Sequence, residues 1–346
     1  METRTFTITI VLSFLIQHSA FGQGALTPPG APAPTMKTLA QIEPRTPISS
    51  APFTINSPGS YFLTGNLAVS SGNAIVIATN GVTLDLNGFT ISSTEASPTG
   101  TGILINGTLR NITLANGFIQ GGVTNNGLGV YSGNGFAYGI SDPSDASANV
   151  IVSRISVSGC LTYGIRLGGS SSTIVDSCTI RTVGSIGIIA STIKQSVADD
   201  CGSYAVYGNE VSDCRGQCSG SGAGITGTTV LNSYGYSSGS GNGITAFVAQ
   251  NCYGYSNSGY GVLASATAHN CYGFSNSGTG VYAINAQNCY GSSYGGGDGI
   301  YANTSAIGCT GYSSSGRGLY AFIANICSGS TSSGTALSTV HNIYSY

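Results

Sequence analysis

The residues of this chain that could do chemistry are few, and charge is densest in the stretch running from Asp176 to Arg215. Adjacent Asp199 and Asp200 are carboxylates of the kind that hydrolyse a glycosidic bond when two of them flank it as acid and base or nucleophile. Arg181 or Lys194 could serve a lyase as the proton-abstracting base beside carboxylates that hold Ca²⁺. Alternation along a strand sends neighbours to opposite faces, so Asp199 and Asp200 are expected to part. No His and no Arg-x-Lys follows them at coil spacing. These four residues stay as candidates, the plainer reading being paired surface charges, and no catalytic residue is assigned.

Tyrosine supplies a second chemistry. Tyr282, Tyr301 and Tyr320 recur in one slot, and Tyr253, Tyr272 and Tyr290 in another. Rings repeated on an outer face make an aromatic strip able to stack on sugars, with hydroxyls free to hydrogen-bond. The alternative is that such ladders only favour the sheet. Metal chemistry is not expected: no Cys-x-x-Cys occurs, and His269 and His341 are the histidines downstream of the first 22 residues. Gly295-Gly296-Gly297-Asp298-Gly299 looks like a calcium-binding nonapeptide, but it occurs once and in a longer period. No cofactor is expected either.

The elements that must position these residues are set by an internal repeat. Gly243-Ile244, Gly261-Val262, Gly280-Val281, Gly299-Ile300 and Gly318-Leu319 recur every 18 or 19 residues, and Cys252, Cys271, Cys289, Cys309 and Cys327 keep a matching period of 18–20. Two separate markers on one period argue for a solenoid. The units are rich in Gly, Ser, Thr and Tyr and alternate with period two, so they are strands, not helices. Val281 and Ala283 point one way and Tyr282 the other. Three short strands and tight turns fill such a unit, which predicts an all-β parallel β-helix of about twelve to fourteen coils of about 18–20 residues. Ile244, Val262, Val281, Ile300 and Leu319 should stack inside. Upstream, GVTLDLNGFTI (81–91), LRNITLANGFIQ (109–120) and ANVIVSRISVSGC (148–160) carry the pattern, with excursions expected at 92–101 and 121–147.

The ends read differently. Residues 1–22 look like a secretory signal peptide, with Arg4 ahead of an apolar run from Phe6 to Ile16 and Ala20-Phe21-Gly22 as the cleavage site. Residues 23–34 form a Pro/Gly/Ala linker. Residues 35–48 form a capping segment, helical over Thr35–Glu43, and 49–346 the β-helix. Export places the protein outside the cell, at its surface or in the periplasm, with no transmembrane segment in the mature chain. STVHNIYSY (338–346) reads as a strand on an uncapped coil, whose edge could pair with another chain.

Eight of the ten cysteines (160, 178, 214, 252, 271, 289, 309, 327) fall in or near one slot. In-register side chains on parallel strands point the same way and are awkward to bridge. A mostly reduced interior ladder is therefore expected, with Cys214–Cys218 the pair best placed to join.

PGSYFLTGNL (58–67), NGVTLDLNGFTI (80–91) and the Asn-Cys-x-Gly repeats resemble the right-handed parallel β-helix, or pectin-lyase-like, superfamily. The segment GALTPPGAPAPTMKTLAQIEPRTPI (24–48) is similar to the start of exported, uncharacterised β-helix proteins of environmental bacteria. The resemblance implies right-handed coils and leaves activity open, since this fold carries lyases, hydrolases and adhesins. The family's catalytic motifs, an Asn-Thr-Asp strand, a Gly-His-Gly turn and an Arg-Ile-Lys strand, are not matched. Lys and Arg number 10 and charged residues are 6% of the chain. That excludes the basic stripe of a nucleic-acid binder and leaves little for a groove that takes acidic polysaccharide. The expectation is an exported, non-catalytic module that binds a polysaccharide or a surface. The competing readings are a polysaccharide lyase or glycoside hydrolase with a divergent site in 121–215, and a structural layer or appendage subunit.

Overall fold

A computed structural model describes residues 43–169 and 172–343. The leader, the linker and the helical candidate up to residue 42 lie outside the described residues. Strands dominate, and 31 of them join in a single parallel sheet wound into a solenoid of about 15 turns. No helix among the described residues is long and apolar enough to cross a membrane.

Each regular coil has three faces. In one such coil, 244–246 forms the first face, 248–250 the second and Tyr253–Ser256 the third. The first two belong to one strand, Ile244–Gln250, bent at the exposed Phe247. Register is kept from coil to coil: Ile244 pairs with Val262, Val262 with Val281, Val281 with Ile300 and Ile300 with Leu319. All five are fully buried, as the alternation requires. The first rung is Thr46–Ile48, paired with 61–63, inside the segment read as a cap. The last is Leu337–Ile343, on Leu319–Asn325.

The turn count exceeds the expected twelve to fourteen partly because 121–147 is not all excursion. Tyr138–Ser141 is a coil strand between Thr101–Ile105 and Tyr163–Arg166. What projects is an antiparallel hairpin, Thr124–Asn125 with Tyr131–Ser132.

The core changes along the axis. The first coils are filled by Ile48, Ile55, Leu63, Ile75, Leu84 and Ile103. Late coils hold one large aliphatic each, with Ala246, Ala264, Ala283 and Ala302 beside it. There the walls touch. A Cβ built on Gly273 of the third face would overlap the Gly280 carbonyl and lie 2.6 Å from Val281 Cγ2. Glycine at this position lets the third face press on the first.

All ten cysteines are buried and unbridged, Cys214 and Cys218 among them. The expected pair fails because the two side chains belong to different columns. Cys178, Cys214, Cys252, Cys271, Cys289, Cys309 and Cys327 each follow a left-handed residue at the corner between the second and third faces. Cys218 instead shares a third-face register with Cys201, and Cys201 with Val183, which pairs with Cys160. Cys160 thus leaves the expected eight, because its 18-residue distance from Cys178 does not correspond to one coil there: Ser153 pairs with Asp176.

The corner slot has a bonding role that small size alone does not explain. Cys252 Sγ donates to the Gln250 carbonyl at 3.1 Å, and Cys214 Sγ to the Ser212 carbonyl at 3.1 Å. Where the slot holds serine, Ser233 Oγ donates to the Leu231 carbonyl at 2.6 Å and receives the Cys214 N–H at 3.1 Å. The hydroxyl or thiol is a second donor to a corner carbonyl that already accepts a backbone N–H from the neighbouring coil, as the Gln250 carbonyl does from Asn232 at 3.0 Å, so the buried donor is itself satisfied there. Burial pushes the Cys160 thiol up to about 12 and those of Cys178, Cys214 and Cys218 up to about 11. Along the continuous array, hydrogen bonds between neighbouring thiols hold Cys252 down and push Cys271, Cys289 and Cys309 up to about 12.

Candidate functional site

The corner between the second and third faces is the most regular surface feature. Ser177, Gln195, Asp213, Asn232, Asn251, Asn270, Asn288, Gly308 and Ile326 occupy it in turn, all with φ between 48° and 62°. Asparagine suits the left-handed region better than other chiral residues, because its short polar side chain bonds locally. Here the amides also bond to one another. Asn251 Nδ2 donates to Asn232 Oδ1 at 3.0 Å, and Asn270 Nδ2 to Asn251 Oδ1 at 3.2 Å. Asn232 Nδ2 donates to Asp213 Oδ1 at 3.2 Å.

Beside this amide ladder runs a tyrosine column on the third face. Tyr234, Tyr253, Tyr272 and Tyr290 pair in register. Their rings stack at centroid distances of 5.1, 4.9 and 4.8 Å, with interplanar angles of 10°, 3° and 12°. Tyr253, Tyr272 and Tyr290 remain 37–38% exposed. Between amides and rings lies a groove of 750 Å³, running from Gln195 to Asn288 and Tyr290 with Ser233, Cys252 and Cys271 at its floor. Five coil steps give it a length of about 24 Å.

Stacking decides how these rings can make contact. A ring between two others has its π faces covered, so it offers solvent its edge and hydroxyl. A free face is left only where a column ends. Arg215 lies over Tyr234 at 5.6 Å, and beyond Tyr290 the column passes to Thr310. The groove is therefore lined by ring edges along the tyrosine column, with hydroxyls and amides beside them.

A parallel column went unread in the sequence. Tyr236, Tyr255 and Phe274 stack at 4.8 and 4.9 Å, and Tyr294 and Tyr312 continue the row. The signal was available: in Tyr-Gly-Tyr-Ser the two tyrosines are two apart and share a face. This row has polar support, since Asn276 Nδ2 donates to both Tyr255 Oη and Asn257 Oδ1 at 2.8 Å. Together the two columns make the third face of the late coils an aromatic plate.

The first-face column behaves differently. Tyr282, Tyr301 and Tyr320 stack at 5.1 and 4.7 Å and are half-buried. Arg317 covers Tyr320 at 4.3 Å and Tyr301 at 5.3 Å. Asp298 grips Arg317 through Nε at 3.0 Å and Nη2 at 2.7 Å. The column is clamped by an ion pair that satisfies itself.

The charged candidates come together only in part. Arg181 and Asp199 are register partners on the third face. Asp200 stands beside Asp199 on the outer side, against the expectation from alternation, because a bulge interrupts the strand: Ala198 pairs with Gly216 but Cys201 with Cys218. Asp200 takes φ of 54°, stacked on Thr182 at 54° and Gly159 at 68°. Its carboxylate is engaged. Oδ1 accepts Asn125 Nδ2 at 2.6 Å and the Tyr131 hydroxyl at 2.9 Å, which ties the projecting hairpin onto the third face. Burial, and then the Asp200 carboxylate, raise the pKa of the Tyr131 hydroxyl. Lys194 lies around the corner, paired with Asp176 at 3.3 Å. No cluster of three or more His, Cys, Asp or Glu among the described residues is arranged to hold a metal.

No protein-family model matches the chain, and no curated protein and no solved structure is significantly similar to it.

Proposed function

We propose that this is an exported, non-catalytic β-helix protein that binds an extended polysaccharide along the third face of its late coils. The observation that carries the reading is the groove between the amide ladder and the Tyr234–Tyr290 column. From Asn232 to Tyr290 it repeats one Asn and one Tyr per coil, and it is open along its length. An extended polymer of hydroxylated units matches a linear, repeating row of donors and acceptors better than a compact ligand does. Many weak, repeated contacts give useful affinity by summation. The hairpin favours the non-catalytic part of the reading, since Asn125 and Tyr131 commit Asp200 Oδ1 to a structural tie, with Oδ2 and Asp199 outside it.

The test is a glycan array probed with the whole chain, followed by replacement of Tyr253, Tyr272 and Tyr290 together by Thr. Threonine already fills the slot at Thr310. Retention on the best glycan should fall by about tenfold or more, a loss of about 1.4 kcal/mol, with the strand signal in circular dichroism unchanged. The same change at Tyr282, Tyr301 and Tyr320 should have a smaller effect. Unchanged retention in a folded Tyr253/Tyr272/Tyr290 variant would rule out the groove. New reducing ends or unsaturated products, lost in Asp199→Asn, would turn the reading to an enzyme.

A further inference from the structure

We infer that the polymer this groove takes is uncharged; the inference rests on the binding role proposed above. After Arg215 the remaining sequence holds one acidic residue, Asp298, and one basic one, Arg317. These two neutralise each other across 2.7 Å and spend the guanidinium on first-face tyrosines. No other Asp, Glu, Lys or Arg occurs after Arg215. The groove itself meets charge only at its early end, where Asp213 and Arg215 stand together with opposite signs.

A polyuronate would bring about one carboxylate per sugar. Along some 24 Å of groove it would meet a single guanidinium, with a carboxylate beside it. Each further carboxylate would lose water without gaining a cation, which is unfavourable for an ion. Sugar hydroxyls face no such loss. A carboxamide has two N–H donors and an acceptor oxygen with two lone pairs. Asn251 uses one N–H toward Asn232 and one lone pair toward Asn270. One donor and one acceptor per coil are thus left for a ligand, alternating with tyrosine hydroxyls. Paired donor and acceptor capacity without charge is the chemistry that recognises a neutral glycan.

The charge inventory also sets the salt response. Attraction between charges weakens as the screening length shortens from about 14 Å at 0.05 M to about 4 Å at 0.5 M salt. Hydrogen bonds and aromatic contacts in a neutral groove lack that dependence.

The experiment incubates the whole chain with cellulose, chitin, mannan and a β-1,3-glucan, and with immobilised polygalacturonate and alginate, at about 0.05 and about 0.5 M NaCl. The expected result is retention on at least one neutral polymer that changes less than about twofold between the two salts and is lost in the Tyr253/Tyr272/Tyr290→Thr variant. Retention on polyuronate alone, falling steeply with salt yet lost in the same variant, overturns the neutral ligand and leaves the groove intact. Retention on neither class, or retention indifferent to the tyrosines, overturns both.

Discussion

Coils before and after Arg215 solve the same stacking problem with different materials. The early coils are wide and filled with Ile, Leu and Val, and they carry all but two of the charged residues described. Their corners vary: Asn116, Arg154, Ser177, Gln195 and Asp213 take the left-handed position. The late coils are thin, each with one Ile, Val or Leu among Ala, Gly, Ser and Cys, and nearly uncharged. Large side chains tolerate change because they can repack around it. Where backbone meets backbone no such freedom exists, so the late coils repeat almost letter for letter. Sequence regularity here reports wall thickness first, and the regular outer face is its by-product.

The largest test of this contrast is Gly273→Ala. The new methyl would meet the Gly280 carbonyl, which is backbone and cannot move aside. A loss above about 3 kcal/mol is expected, enough to open neighbouring coils. Gly65→Ala among the early coils meets nothing within 4 Å and should be close to neutral. Urea denaturation read by circular dichroism compares them; equal losses would break the contrast.

Alkali should also divide the molecule, at Cys160 instead of Arg215, since Cys160, Cys178, Cys201 and Cys214 precede Arg215. In the unfolded chain a thiol loses its proton from about pH 9, whereas buried Cys178 and Cys214 keep theirs up to about 11. Above pH 9 the unfolded state therefore binds fewer protons, and stability falls as pH rises toward 11. Each such thiol contributes up to about 1.4 kcal/mol per pH unit. Cys178→Ser with Cys214→Ser should flatten the fall, since serine already serves this slot at Ser196 and Ser233. Amide exchange across this pH range should show the loss in the later coils and spare those before Cys160, which hold no cysteine.

Two smaller effects sharpen the picture. Ser275 Oγ donates to the Gly259 carbonyl at 2.7 Å and receives Gly278 N–H at 2.8 Å, so Ser275→Ala should cost about 1–2 kcal/mol. Ser293, the next in that column, has a buried hydroxyl without a partner, and Ser293→Ala should be neutral or stabilising in the same denaturation series. Ile326 is the one β-branched residue in the corner row, with φ of 53°. Ile326→Asn should raise stability by about 1 kcal/mol, since asparagine tolerates that backbone and isoleucine does not.

The stacked core residues were legible because Gly-Ile and Asn-Cys keep one period independently. Tyr282 followed from alternation, and Tyr253 from its recurring slot in the repeat. What escaped depends on contacts far apart in sequence. The bulge that turns Asp200 outward is inherited from Thr182 and Gly159 in the coils beneath. The hairpin that occupies Asp200 comes from Asn125 and Tyr131, 75 and 69 positions away. Cys160 was misplaced because an irregular coil hides its true length. Ring stacking was the subtlest loss: periodicity places tyrosines in a row but does not say whether they show faces or edges.

The amide corner has one more consequence, for how such a chain can change length. Each rung is satisfied by the rung before it and offers the same bonds to the rung after. Duplicating one unit of DNA between, say, Asn251 and Asn270 would insert a complete coil without disturbing its neighbours, lengthening the groove by about 4.8 Å. Unequal crossing-over between near-identical units could supply such variants directly. Copy number then works as a ruler, and natural length variants would differ in groove length while leaving each rung unchanged.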